Sequence, residues 1–238
     1  MYILEGNIGV GKSTFLSLLK KQCSDLEVIT EPVEDWSKQT YGQSLLANFY
    51  QNTPRWAYTL ETLTMFCRAR DHMQEQKTTS PNRIFERSIY SGHYCFARNS
   101  YESGCMLKLE WRIYNQWANF LIHQECSPPI GFIYLKASPE ACFSRVQKRN
   151  RSSEAAITLD YMKQIDFWHD HFLINKKEVS PTLSNIPVLT LDCNQDFLNN
   201  PENMRRHAER VKAFLEKTQY GQTQFGDKTC TFSKATSE

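Results

Sequence analysis

The chain has 238 residues, enough for one well-filled α/β domain and too few for two comfortable ones. Its 28 basic and 26 acidic residues leave a net charge of +2, which gives no broad field for a polyanion and excludes nucleic acid as an expected partner. Eight cysteines without a Cys-x-x-Cys pair read as reduced core thiols, no apolar run is long enough for a membrane span, and the first strand begins at once. A cytoplasmic protein is therefore expected, nuclear being compatible and mitochondrial only if a presequence has been removed.

Tyr2-Ile3-Leu4-Glu5 reads as a strand and leads into Gly6-Asn7-Ile8-Gly9-Val10-Gly11-Lys12-Ser13-Thr14, which fills the G-x-x-x-x-G-K-[ST] phosphate-loop pattern. In such a loop Gly6, Gly9 and Gly11 let backbone N–H groups turn toward phosphate oxygens. Lys12 brings charge to the outer phosphates, and the Ser13 hydroxyl suits Mg²⁺. A helix over 12–22 adds its positive end.

Further strands are expected at Leu26–Thr30, Arg83–Phe85, Gly131–Leu135 and Pro187–Leu191, making five. Between them, helices are expected over 43–50, 54–75, 91–103, 108–125, 138–149, 158–178 and 201–217. Alternation of this kind argues for a parallel sheet covered by helices on both faces, a single domain over 1–217, and a polar, mobile tail over 218–238.

Ligands of an open parallel sheet collect at the carboxyl ends of its strands. The second strand runs into Glu31-Pro32-Val33 and the third into Glu86-Arg87-Ser88, so Lys12, Glu31, Glu86 and Arg87 are expected in one crevice. A carboxylate beside a triphosphate can hold Mg²⁺ or take a proton from an attacking hydroxyl. A second basic cluster, Arg145, Lys148, Arg149 and Arg151, closes the helix after the fourth strand. It can complement the helix dipole or fold over phosphates as a lid.

With these blocks in order, and with Trp36, Trp56 and Leu191–Phe197 beside them, the chain resembles the deoxynucleoside kinases of the deoxycytidine and deoxyguanosine kinase group over roughly residues 1–217. The resemblance implies a P-loop kinase fold with an arginine-rich lid over about 145–158. It also implies transfer of the γ-phosphoryl group of ATP, or another triphosphate, to the 5′-hydroxyl of a deoxyribonucleoside. By that similarity Glu31 is the general base, Arg87 steadies the 5′-oxygen, and Ser13 with Glu86 holds Mg²⁺. Tyr50 and Glu154 bond the sugar 3′-hydroxyl, and Arg145, Arg149 and Arg151 are lid arginines. Ile8, Val33, Trp36, Leu46, Phe49, Leu60 and Phe96 wall the nucleoside, while Asp196 and Phe197 lie by the adenine of the donor. A homodimer built on helices is the family habit, expected here on 54–75 and 108–125, where Trp111, Trp117 and Phe120 supply aromatic surface.

The resemblance departs at the base. The family reads the base with a glutamine where this chain has Glu61, and an aspartate that accompanies Arg68 is replaced by Gly92. Arg68 thus loses its expected partner, and Glu61 is expected to replace that aspartate as an ionised group. An ionised Glu61 accepts only, which favours a donor-rich purine edge, guanine slightly ahead, while Gly92 is expected to enlarge the pocket. The rival enzyme class is a nucleoside monophosphate kinase of the thymidylate kinase type, whose acceptor is already ionised and needs no Glu31. A GTP-dependent switch protein would need an Asn-Lys-x-Asp sequence, which this chain lacks.

Overall fold

The computed structural model describes residues 1–226 except 24, 32–43, 79, 81, 196, 198 and 199, and of 220–226 the backbone only. Chain order is β1 (Tyr2–Gly6), α1 (Lys12–Gln22), β2 (Glu27–Ile29), α2 (Leu45–Gln51), α3 (Thr53–Glu75), β3 (Arg83–Glu86), α4 (Ile89–Ser91), α5 (Arg98–Glu102), α6 (Lys108–Phe120), β4 (Gly131–Lys136), α7 (Pro139–Arg149), α8 (Leu159–Leu173), α9 (Pro181–Ser184), β5 (Val188–Asp192) and α10 (Pro201–Gly226). A π-helical stretch, Gly92–Ala97, joins α4 to α5, and another, Leu121–Glu125, extends α6. A short 3₁₀ turn, Ser152–Glu154, lies between α7 and α8.

The five strands form one parallel sheet in the order β2-β3-β1-β4-β5. Side chains alternate across a strand, so β1 and β4 each feed two cores. Tyr2, Leu4, Ile133 and Leu135 pack with Phe15, Leu16 and Leu19 of α1 and Met204, Ala208 and Val211 of α10. Ile3, Phe132 and Tyr134 face the other way, onto Met65 of α3, Tyr114 of α6 and Ile165 and Phe172 of α8. Each fully buried side chain of this size contributes about 1.5–3 kcal/mol, so the central strands are fixed from both faces and the loops at their carboxyl ends inherit that rigidity.

Two expectations are corrected. The last helix does not stop near 217: α10 runs on to Gly226, because Thr218 Oγ1 lies 2.6 Å from the Tyr2 hydroxyl and Gln219 donates to Asn82 Oδ1 at 2.8 Å. The helix expected over 158–178 ends at Leu173, and α9 follows where none was expected. Among the described residues no helix is long and apolar enough to cross a membrane, and seven cysteines are free thiols.

Candidate active site

The phosphate loop is built from left-handed glycines. Gly9 has φ +76° and Gly11 φ +102°, conformations that L side chains rarely adopt. Gly9 is further pinned by its neighbour, since a Cβ there would stand 2.4 Å from the carbonyl oxygen of Cys142 on α7. The Asn7 side chain anchors the loop by donating to Met162 O at 2.9 Å and accepting from Ile8 N at 2.8 Å. Val10 is buried in the core, and its carbonyl accepts from Arg145. Lys12 bends back over the loop, donating to Gly6 O at 3.2 Å and Asn7 O at 3.0 Å. Burial, with Arg87 next, pushes this lysine down to about 7.

A cavity of about 400 Å³ opens beside the loop. It is lined at one end by Ile8, Lys12, Ser13 and Thr14, and by Glu31, Glu86 and Arg87 from the ends of β2 and β3. The strand-end residues expected to converge do so. Ser13 Oγ donates to Glu86 Oε1 at 2.8 Å. Glu31 is gripped on both oxygens: Arg68 reaches Oε1 at 2.6 Å and Arg87 Nε lies 3.4 Å from Oε2. Arg87 has φ 66°, a strained backbone that turns its guanidinium back into the cavity, 4.6 Å above the Phe96 ring.

Leu46, Phe49, Leu60 and Phe96 line the same cavity with Tyr50, Glu61, Arg68, Arg149, Arg151 and Glu154. Trp36, Val33 and Asp196 lie outside the described residues. Burial raises the Tyr50 hydroxyl, with the Glu154 charge second, so the phenol stays neutral. Glu154 accepts from Arg149 at 2.5 Å and stands 3.6 Å from Arg151, so two of the three lid arginines meet the carboxylate expected at the sugar. Arg145 instead donates to Cys193 O at 2.8 Å and Asn194 O at 3.2 Å. It lines a neighbouring groove of about 540 Å³ with Gly11, Lys148, Asn194 and Phe197. Phe197 is buried, edge-on to Phe15 at 5.7 Å and 2.8 Å from where a Gly11 Cβ would stand.

Two expectations about the base end are overturned. Arg68 does not rely on Glu61: its Nε and Nη2 hydrogen bonds go to Glu31, because a carboxylate at the end of β2 is within reach of its fork. Among the described residues Glu61 accepts one long 3.4 Å bond, from Ser100 Oγ, and burial pushes it up to about 8. Nor does Gly92 enlarge the pocket. The Arg68 guanidinium fills the space over it, with Nη1 2.8 Å from where a Cβ would stand.

Sequence reasoning passed over Glu5, Ser100 and Tyr161. Glu5 is fully buried on β1, accepts from Ser88 Oγ at 2.6 Å and stands 3.9 Å from Arg87. A charge inside an apolar strand was the available signal. Tyr161 lines the cavity edge-on to Tyr50 at 5.8 Å, a contact between distant helices that no local pattern encodes.

The family model described as Deoxynucleoside kinase matches residues 2–216. Deoxycytidine kinase of Homo sapiens is 36% identical over 235 residues, covering 89% of each chain. The mitochondrial deoxyguanosine kinase of Xenopus laevis is 39% identical over 236 residues, covering 89% of this chain and 88% of its own. Deoxycytidine kinase 2 of Gallus gallus is 35% identical over 235 residues, again covering 89% of each. With a phosphate loop, a parallel sheet and a carboxylate at the second strand end in one cavity, the chain belongs to the deoxynucleoside kinase family.

Proposed function

We propose that the chain transfers the γ-phosphoryl group of ATP, or another nucleoside triphosphate, to the 5′-hydroxyl of a deoxyribonucleoside, with Glu31 as general base. The observation that carries this reading is Glu31 itself, a carboxylate in the phosphate-loop cavity, flanked by Arg68 and Arg87. A monophosphate acceptor is already ionised and needs no base, so the thymidylate kinase type is not favoured.

The loop amides and Lys12 hold the donor phosphates, with Arg145, Arg149 and Arg151 supplying charge from α7 and the turn beyond it. The acceptor hydroxyl gives its proton to Glu31 as its oxygen attacks the γ-phosphorus, the bond to the β–γ bridging oxygen breaks and the nucleoside diphosphate leaves, and Arg87 steadies the developing charge. Tyr50 and Glu154 orient the sugar, while Phe49, Phe96 and Leu60 exclude water around the base. The Ser13 hydroxyl and Glu86 carboxylate, 2.8 Å apart, are hard oxygen donors that fit Mg²⁺. Held by these two residues, Mg²⁺ would supply charge that neutralises the triphosphate.

A steady-state panel of the four deoxynucleosides and their monophosphates with ATP tests the reaction. Glu31→Gln is expected to lower kcat for deoxynucleosides by roughly 10²–10⁴-fold, measured where circular dichroism shows the variant folded, since the change also leaves Arg68 and Arg87 without their shared anion. Undiminished turnover in that variant would remove the general base from the account.

A homodimer fits the apolar surface of two neighbouring helices. Phe66 on α3 and Trp117 on α6 are 61% and 58% exposed, with Leu109, Ile113 and Phe120 further along the same side of α6. Trp111, by contrast, is stacked inward on Tyr101 and Tyr114. Sedimentation should give a dimer that Trp117→Glu converts to monomer. A monomeric parent chain would end this proposal.

A further inference from the structure

Glu61 lines the cavity that opens beside the phosphate loop. Arg68, seven residues further along α3 and so about 10.5 Å away along the helix axis, bonds Glu31 and lines the same cavity. Glu31, Arg68 and Glu61 therefore share one cavity, with Glu61 two helical turns from the arginine that holds Glu31. A nucleoside with its primary alcohol at Glu31 extends its base toward Glu61, between the walls of Leu60 and Phe96.

The surroundings of Glu61 do not supply a counter-charge in contact. It is 3% exposed, and among the described residues it makes no ion pair. Its Oε1 accepts the long bond from Ser100 of α5. Tyr50 of α2, Tyr114 of α6 and Tyr161 of α8 face it electrostatically, and burial keeps all three phenols protonated. On its own helix Arg68 is the cation, with two hydrogen bonds given to Glu31, while Arg87 and Glu154 stand across the cavity. A buried carboxyl without a contacting cation keeps its proton, in keeping with its shift up to about 8.

A neutral carboxylic acid has one O–H donor and one carbonyl acceptor, the same pair that a side-chain amide offers, whereas a carboxylate accepts only. Cytosine and adenine each present an amino donor beside a ring nitrogen whose lone pair must be met by a donor. Guanine presents two adjacent donors, N1–H and N2–H, which a carboxylate can accept together.

Resting on the kinase reading above, we propose that Glu61 reads the base as a neutral acid, its O–H donating to the ring nitrogen of cytosine or adenine while its carbonyl accepts from the amino group. Deoxycytidine and deoxyadenosine are then substrates of the protonated site alone, and deoxyguanosine is a substrate of both states, its O6 and N1–H meeting the neutral acid and its N1–H and N2–H the carboxylate. Base selection in this chain is consequently set by pH.

The test is kcat/KM for deoxycytidine, deoxyadenosine and deoxyguanosine with ATP and Mg²⁺ between pH 6 and 9.5. The deoxyguanosine to deoxycytidine ratio is expected to rise about tenfold or more across that range, and to stay flat in Glu61→Gln, which keeps the donor and acceptor at every pH. In a second measurement, deoxycytidine binding at pH 9 should take up a proton, seen as heats that depend on the buffer, and this uptake should vanish in the variant. A ratio that does not change with pH, or a variant that retains the change, overturns the proposal while leaving the kinase reading intact. Failure to phosphorylate any nucleoside at any pH overturns the kinase reading, and this proposal with it.

Discussion

Arg68 gives two hydrogen bonds, from Nε at 2.9 Å and Nη2 at 2.6 Å, to the same oxygen of Glu31. The side chains are only 10% and 6% exposed, so the pair sits where an unbalanced charge is expensive. Arg68→Met leaves the buried carboxylate with Arg87, and is expected to destabilise the fold by about 3 kcal/mol. Arg68→Lys keeps the charge but loses the planar fork, and should cost less. Urea unfolding checks both, and equal midpoints for Arg68→Met and the parent would mean that the pair adds nothing.

Lys12 should take up a proton when a triphosphate arrives. In the ligand-free cavity its ammonium is pushed down to about 7, and phosphate charge beside it restores the charged form. Between pH 7 and 8 the binding heat is expected to vary with the ionisation enthalpy of the buffer, with net uptake, and Lys12→Met should abolish that variation. The sign for stability is the reverse of a paired lysine. Its folded value lies below the ordinary lysine value of 10.5, so the unfolded chain binds more protons above about 7, and this group's contribution to ligand-free stability grows as pH rises toward 10.

Gly9→Ala tests how closely the phosphate loop is wedged against α7. The added methyl group would meet the Cys142 carbonyl at 2.4 Å, a backbone atom that can yield only if the helix moves, and φ +76° adds strain. Overpacking of this kind costs about 1–3 kcal/mol. KM for ATP is expected to rise at least about tenfold while KM for the nucleoside changes little. An unaltered ATP KM would show that loop and helix move freely of each other.

Much of this arrangement is legible in the chain because its signals are local. Gly6–Thr14 announces its own loop, and β-branched runs at Val28, Ile84, Ile133 and Val188 announce strands whose carboxyl ends bring Glu31, Glu86 and Arg87 together. What could not be read depends on distant atoms. Arg68 and Glu31 are 37 residues apart, and nothing in that spacing names one as the partner of the other. The upward shift of Glu61 follows from its burial, 3% exposed, a matter of packing rather than spacing. The continuation of α10 past Thr218 likewise depends on a hydroxyl at Tyr2, 216 positions away.

The order of the sheet has a bearing on how the chain is made. β1 is the central strand, yet its partners are β3 and β4, and Tyr2 meets Gly131 across the ladder. At about 5–20 residues per second, a ribosome needs on the order of ten seconds between delivering the first of these strands and the last. β3 is delivered partway through that interval, but the β4 side of β1 stays open to its end, which makes slow, late-stage assembly the expected folding behaviour.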